Sequence, residues 1–266
     1  MRRIAISFAA AGIAALTVAG CGSGSGSGSS ASPSASSSVS SSVSGSITVF
    51  AAASLKEAFT TIGTQFEAAH PGVKVTFSFG ASSALATQIT SGAPADVFAS
   101  ASPKNMQQVV TAGDASNPVT FASNMMEVAT PPANPAHVAS VADLAKSSVK
   151  VALCQPQVPC GSTAARVFKN AKITVKPVTL QPDVKSVLTQ VEIGNVDAGV
   201  VYVTDVKAAG AKVKGVVIQA DENASTAYPI APVSKSGNPA TAKAFADYVV
   251  SPPGQRVLAA AGFEKP

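Results

Sequence analysis

Two serines stand where an apolar run turns into a helical one. Ser54 closes Thr48-Val-Phe-Ala-Ala-Ala-Ser54 and opens Leu55-Lys-Glu-Ala-Phe59. Ser82 follows the alternating run Val73, Val75, Phe77, Phe79 across Gly80-Ala81. A strand feeding a helix leaves the first helical N–H groups without partners and sets the positive end of the helix dipole there. Such a junction binds anions. Ser54 also sits where an N-cap belongs, with Glu57 three residues on as in a capping box, so a purely local role is the plain alternative. Three later junctions repeat the pattern: the loop from Cys154 to Gly161, the turn Pro182-Asp183-Val184, and Tyr202 at the end of Ala198-Gly-Val-Val-Tyr202. In an open parallel sheet the binding crevice lies outside the carboxyl ends of the strands, so all five places would line one edge if their sheets face each other.

The reagents of catalysis are missing. There are two histidines, His70 before Pro71 and His137 in a Pro/Asn loop, and both read as solvated loop residues. No nucleophile elbow, metalloprotease helix, P-loop or dinucleotide glycine pattern occurs. Cys154 and Cys160 lack the further ligands a zinc site needs. Asp96 and Asp183 fall near the candidate junctions but suit caps and loop ties. Hydroxyls, amides and helix starts remain, which bind an anion without reacting with it. A fully deprotonated tetrahedral oxyanion needs donors only, whereas phosphate gains from an acceptor for its proton. The class expected is therefore a binding protein and not an enzyme.

Residues 1–21 read as a lipoprotein leader. Arg2 and Arg3 precede an apolar run, and Val18-Ala19-Gly20-Cys21 resembles a bacterial lipobox whose cysteine is acylated. Residues 22–46 are almost wholly Gly, Ser, Ala, Pro and Val, the composition of a disordered tether reaching roughly 28 Å. The formal charge of +5 falls to +3 without Arg2 and Arg3, and no basic run or tryptophan supports nucleic-acid binding. An extracytoplasmic body held to the cell membrane by lipid on Cys21 is expected.

From Ile47 onward strands alternate with helices, which predicts an α/β body with parallel sheets. Helical spacing of Leu55, Ala58, Phe59, Ile62 and Phe66 marks the first helix. Strands are expected at 73–79, 96–99, 119–129, 149–153, 175–180, 197–202, 213–219 and 228–233. Helix starts are expected at Ser102-Pro103, Ser140, Ser162, Pro182-Asp183, Asn238-Pro239 and Pro252. Cys154 and Cys160 are the pair left once Cys21 carries lipid. Export puts them in an oxidising setting, and Pro156 and Pro159 bend the six-residue separation, so a disulfide is expected.

Three motifs together resemble one family: Ile47-Thr-Val-Phe-Ala-Ala-Ala-Ser54-Leu, Gly92-Ala-Pro-Ala-Asp96-Val-Phe-Ala-Ser and Gly199-Val-Val-Tyr202-Val-Thr-Asp205. The body from Ile47 to Phe263 is similar to the periplasmic molybdate-binding proteins of ABC importers. The resemblance implies a two-lobed class II periplasmic-binding-protein fold with the ligand cleft between lobes. It implies no cofactor and no direct side-chain metal ligand, since molybdenum would be held as its oxyanion. Carried over by motif, the donors would be the hydroxyls of Ser54, Ser82 and Tyr202 and the amides of Cys160 and Val184. The family form has alanine where Cys160 stands, which an amide donor survives, and more serines around Ser82 and Ser83, either of which fits the second hydroxyl. The disulfide would then brace the Cys160 amide. Residues 47–124 plus 224–266 would form lobe one and 125–223 lobe two. The function implied is capture of molybdate, and tungstate with it, by a monomer that serves an ABC permease. The alternatives are a receptor for another tetrahedral oxyanion such as sulfate, and a lipid-anchored structural or adhesive protein.

Overall fold

A computed structural model of the chain describes residues 43–266. The leader, Cys21 and nearly all of the tether lie outside the described residues. The last tether positions do not behave as tether. Strand β1 (Gly45–Ala52) starts two residues before Ile47. Gly45, at φ +82, donates its N–H to the Gly72 carbonyl at 2.9 Å, and Val43 packs on the core. The chain is therefore anchored before the first apolar alternation begins.

β1 runs through a 3-10 turn (Ala53–Leu55) into α1 (Lys56–Ala69). β2 (Val73–Gly80), α2 (Ser82–Thr90), β3 (Val97–Ala99) and α3 (Pro103–Thr111) follow. The long strand β4 (Val119–Thr130) leads to β5 (Val151–Cys154), α4 (Pro159–Asn170), β6 (Thr179–Gln181), α5 (Val184–Glu192), β7 (Ala198–Tyr202) and α6 (Val203–Ala209). β8 (Lys214–Val217), β9 (Ser225–Pro232), α7 (Pro239–Val250) and α8 (Pro252–Ala261) complete the body.

Strand order is β2-β1-β3-β9-β4-β7-β5-β6, with β8 on β4. β1 pairs in parallel with β2 and β3, and β5 with β6 and β7. The parallel pairing expected from the alternation of strands and helices gives way to antiparallel pairing at the centre. β9 runs antiparallel to β3 and β4, and β4 antiparallel to β7 and β8. β4 joins the two parallel sets: its first half, to Met125, pairs with β9, and its second, from Met126, pairs with β7 and β8.

The packing follows the same division. One core gathers Ile47, Phe59, Ile62, Phe66, Phe121, Tyr228 and Phe245 from residues on either side of the chain's middle. A second gathers Met126, Val151, Val167, Val187, Val200 and Tyr202 from the middle itself. All five apolar positions that marked α1 are buried, as the helical period requires. Two expected elements change length. The strand placed at 175–180 is ordered only from Thr179, because Pro177 offers no N–H to a ladder. α4 starts at Pro159 and not at Ser162, with proline at its first position where the absent N–H is harmless.

Candidate functional site

All five sequence-derived positions meet in one small cavity. Ala52, Ala53, Ser54, Gly80, Ala81, Ser82 and Ala101 line it from the ends of β1, β2 and β3, and Pro159, Cys160, Asp183, Val184 and Tyr202 from the α4, α5 and β7 side. Its volume is about 20 Å³, far below the several hundred Å³ typical of drug-sized ligands, so it suits a compact ion. Of the two adjacent serines, Ser82 lines the cavity and Ser83 does not.

The serines reach the cavity differently from what the capping pattern suggested. Ser54 lies inside the 3-10 turn, and no side chain caps either that turn or α1. Its oxygen lies 2.8 Å from Tyr228 Oη instead. Ser82 is the first residue of α2, and its oxygen accepts the Ala101 N–H at 2.9 Å. A hydroxyl has one proton and two lone pairs, so accepting from Ala101 leaves the Ser82 proton for another acceptor. The flanking alanines and Gly80 keep the backbone close to the cavity wall.

The opposite wall is built from helix starts. Cys160 is the second residue of α4, a helix with no side-chain cap. A disulfide of 2.00 Å joins Cys160 to Cys154 at the end of β5, with Cα atoms 5.8 Å apart. The loop is so tight that a Cβ on Gly161 would stand 2.1 Å from the Gln155 carbonyl oxygen, so only glycine fits there. At α5, Asp183 caps the helix, accepting from Ser186 N at 2.9 Å and Ser186 Oγ at 3.2 Å. The Val184 N–H, at the first helical position, has no intrahelical partner.

Tyr202 closes the site. It is fully buried, and its hydroxyl has no hydrogen-bond partner among the described residues. Burial, with the nearby Asp205 carboxylate, pushes its phenol far above the ordinary tyrosine value, so it remains a neutral donor. Asp205 accepts the Tyr202 N–H at 3.1 Å, and its other oxygen lies 3.0 Å from Lys185 Nζ. Lys185 also reaches Glu57 on α1 at 2.9 Å, linking the two sides of the cleft.

No lysine or arginine lines the cavity, and its one charged residue, Asp183, has both oxygens engaged by Ser186. Hydroxyls and helix dipoles thus present donors without a neutralising cation, an arrangement chemically suited to a small anion. Asp96 does not belong to it. It precedes β3, at the strand end away from the cavity, and ties Thr48 N at 2.7 Å and Ser236 Oγ at 2.6 Å. Sequence reasoning passed over Ala101, Tyr228 and Asn124. Ala101 could have been found as the residue just past the carboxyl end of β3. Tyr228 carried no signal beyond an aromatic in a strand. No group of three or more His, Cys, Asp or Glu among the described residues could hold a metal, and no described helix is long and apolar enough to cross a membrane.

The family pattern described as bacterial extracellular solute-binding protein matches residues 47–264. The chain is a member of that family. It is 44% identical over 221 residues to the molybdate-binding protein ModA of Mycobacterium tuberculosis, covering 83% of this chain and 85% of that one. Its fold matches the Azotobacter vinelandii periplasmic molybdate-binding protein with a TM-score of 0.74 at 21% identity, covering 83% and 99%. It matches the sulfate-binding protein SubI of M. tuberculosis with a TM-score of 0.72 at 21% identity, covering 83% and 86%. The two-lobed fold of solute-binding proteins is thereby established, and with it a binding role in place of an enzymatic one. Solute-binding proteins carry no cofactor.

Proposed function

We propose that this chain is the extracytoplasmic receptor that captures molybdate, and tungstate alongside it, for an ABC importer. The single observation that carries the reading is the buried Tyr202 hydroxyl without a partner in a cavity otherwise furnished with donors. A buried hydroxyl left unsatisfied costs about 1–3 kcal/mol, so it calls for a ligand acceptor. Ser54, Ser82, the Cys160 and Val184 amides and Tyr202 would surround the oxyanion. The 44% identity to a molybdate-binding relative supports the choice of ion.

Residues 47–124 with 224–266 would form one lobe and 125–223 the other, β4 and the return into β9 serving as the hinge. Acylation of Cys21 would tether the body, as a monomer, beside its permease at the cell membrane. Mass spectrometry of the membrane-extracted protein tests the anchor: a lipid-modified Cys21 at the N-terminus is expected, and an unmodified one ends that part of the reading.

The sulfate reading stays in play because the fold is equally close to a sulfate-binding protein. Calorimetric titration with molybdate, tungstate, sulfate and phosphate separates the two. Heat is expected with the first two, weak heat with sulfate, and none with phosphate, whose proton would meet no free acceptor. Silence toward both molybdate and tungstate overturns the proposal, and tighter binding of sulfate replaces it with the alternative.

A further inference from the structure

We infer that Tyr228 is a positioning residue that fixes the Ser54 proton toward the ligand. The inference rests on the placement of an oxyanion in the Ser54 cavity. Tyr228 is wholly buried on β9, and burial pushes its phenol well above the ordinary tyrosine value. It keeps its proton and must place it on an acceptor. Its hydroxyl has two hydrogen-bond neighbours, Ser54 Oγ at 2.8 Å and Asn124 Nδ2 at 3.5 Å; the Tyr202 hydroxyl lies nearby but makes no hydrogen bond among the described residues. The Asn124 amide is held in one orientation, its Oδ1 accepting from Met125 N at 3.1 Å and its Nδ2 donating to Thr204 Oγ1 at 2.8 Å.

The face that Asn124 turns toward Tyr228 is therefore a donor, which cannot take the phenol proton. Ser54 Oγ must take it. With one lone pair so engaged, Ser54 has its own proton left over, and the cavity is where that proton can be used. Ser54 thereby matches Ser82, whose oxygen accepts from the Ala101 amide. Each serine is held as an acceptor from behind and released as a donor in front. Without Tyr228 the Ser54 hydroxyl would rotate freely, and binding would bear the entropy of ordering it. The chain Thr204, Asn124, Tyr228, Ser54 starts on α6 of the middle core and ends on the other wall of the cavity. The hydroxyl is thus oriented by contacts that span both halves.

A double-mutant cycle on molybdate affinity tests this. Ser54→Ala is expected to weaken binding about tenfold to a hundredfold, and Tyr228→Phe about threefold to tenfold. In the Ser54→Ala background, Tyr228→Phe should cost less than about twofold, because the hydroxyl it positions is gone. A Tyr228→Phe effect of equal size in both backgrounds, or none in either, overturns the inference. An unchanged affinity in Ser54→Ala alone removes the ligand from this cavity and the inference with it, which is a different failure. Neutron diffraction of the deuterated wild-type protein needs no variant. A deuteron on Tyr228 Oη directed at Ser54 Oγ is expected, and one on Ser54 Oγ directed at Tyr228 overturns the assignment.

Discussion

The two walls of the cavity solve one problem with different parts of the chain. On the β1–β2 side the proposed donors are side-chain hydroxyls, Ser54 beside Tyr228 Oη and Ser82 accepting from the Ala101 N–H. On the α4–α5 side the proposed donors are main-chain amides at helix starts, Cys160 and Val184, with Tyr202 added from β7. A hydroxyl wall depends on residue identity. An amide wall depends on where a helix begins, and nearly any residue supplies its N–H. The first wall is therefore fragile to side-chain substitution, and the second is fragile only to proline or to a shift of the helix.

Val184 offers the sharpest break of that contrast. Val184→Pro deletes the N–H at a position where proline is tolerated in a helix. Asp183 before it is already extended, at φ −155° and ψ 173°, as a residue preceding proline prefers. Molybdate affinity should fall about tenfold to a hundredfold, the worth of a hydrogen bond to a charged acceptor. Val184→Ala keeps the amide. It should lower the melting temperature through a small core cavity and leave affinity within about threefold. If both variants bind alike, the amide is not a ligand.

Tyr202→Phe should act in two directions. Affinity should fall about tenfold, while the ligand-free protein should melt higher, because a buried hydroxyl without a partner is gone. Calorimetry and thermal melting of the same preparation read both. A lower melting temperature without ligand would mean that the hydroxyl has a partner in the free protein.

The double variant Cys154→Ala, Cys160→Ala asks how much the amide wall owes to its staple. The amide of residue 160 survives and the disulfide does not. A loop this short constrains the unfolded chain modestly, so stability should drop by at most about 3 kcal/mol. Affinity should drop about threefold, because the start of α4 is then ordered partly at the moment of binding. Unchanged affinity would leave the bond a structural role alone.

The same contrast explains what the sequence could reveal. Ser54, Ser82 and Tyr202 were legible because serine after a strand and tyrosine at a strand end are marked residue types. Asp183 and Pro159 marked helix starts, yet the start of α4 was placed three residues late, and that offset decides whether Cys160 lies in a loop or in a first turn. An amide leaves no trace of its own in the residue code; Cys160 and Val184 entered by likeness to a family. The long extended stretch of β4 was readable from its residues. The antiparallel pairing of β4 with β9 was not, because it joins strands about a hundred residues apart and no local period encodes it. Tyr228 was invisible for a related reason: its role depends on Ser54 and Asn124, both distant in sequence.

The smallest expected effect concerns the bridge that joins the two walls. Lys185, one residue past Val184, reaches Glu57 at 2.9 Å on the hydroxyl side and Asp205 at 3.0 Å on its own side. Glu57 is half exposed, so its share is screened and worth about 0.2–1 kcal/mol. Asp205, wholly buried, keeps Lys185 in place when Glu57 is neutralised. Glu57→Gln should therefore weaken molybdate binding about twofold to fivefold at low ionic strength and hardly at all in high salt. The pH response has a definite sign. Burial alone would lower the Lys185 pKa, but the Asp205 and Glu57 carboxylates outweigh it and hold the ammonium above the usual lysine value. A group raised on folding contributes fully below its unfolded value, about 10.4, and loses that contribution as pH rises through the higher folded one. The difference between wild type and Glu57→Gln should thus stay constant between about pH 6 and 9 and close only above about 10.4. Affinities measured across that range at two salt concentrations decide it. A difference that survives high salt would show that Glu57 acts through packing, and one that closes below pH 9 would show that Lys185 is not the group that carries it.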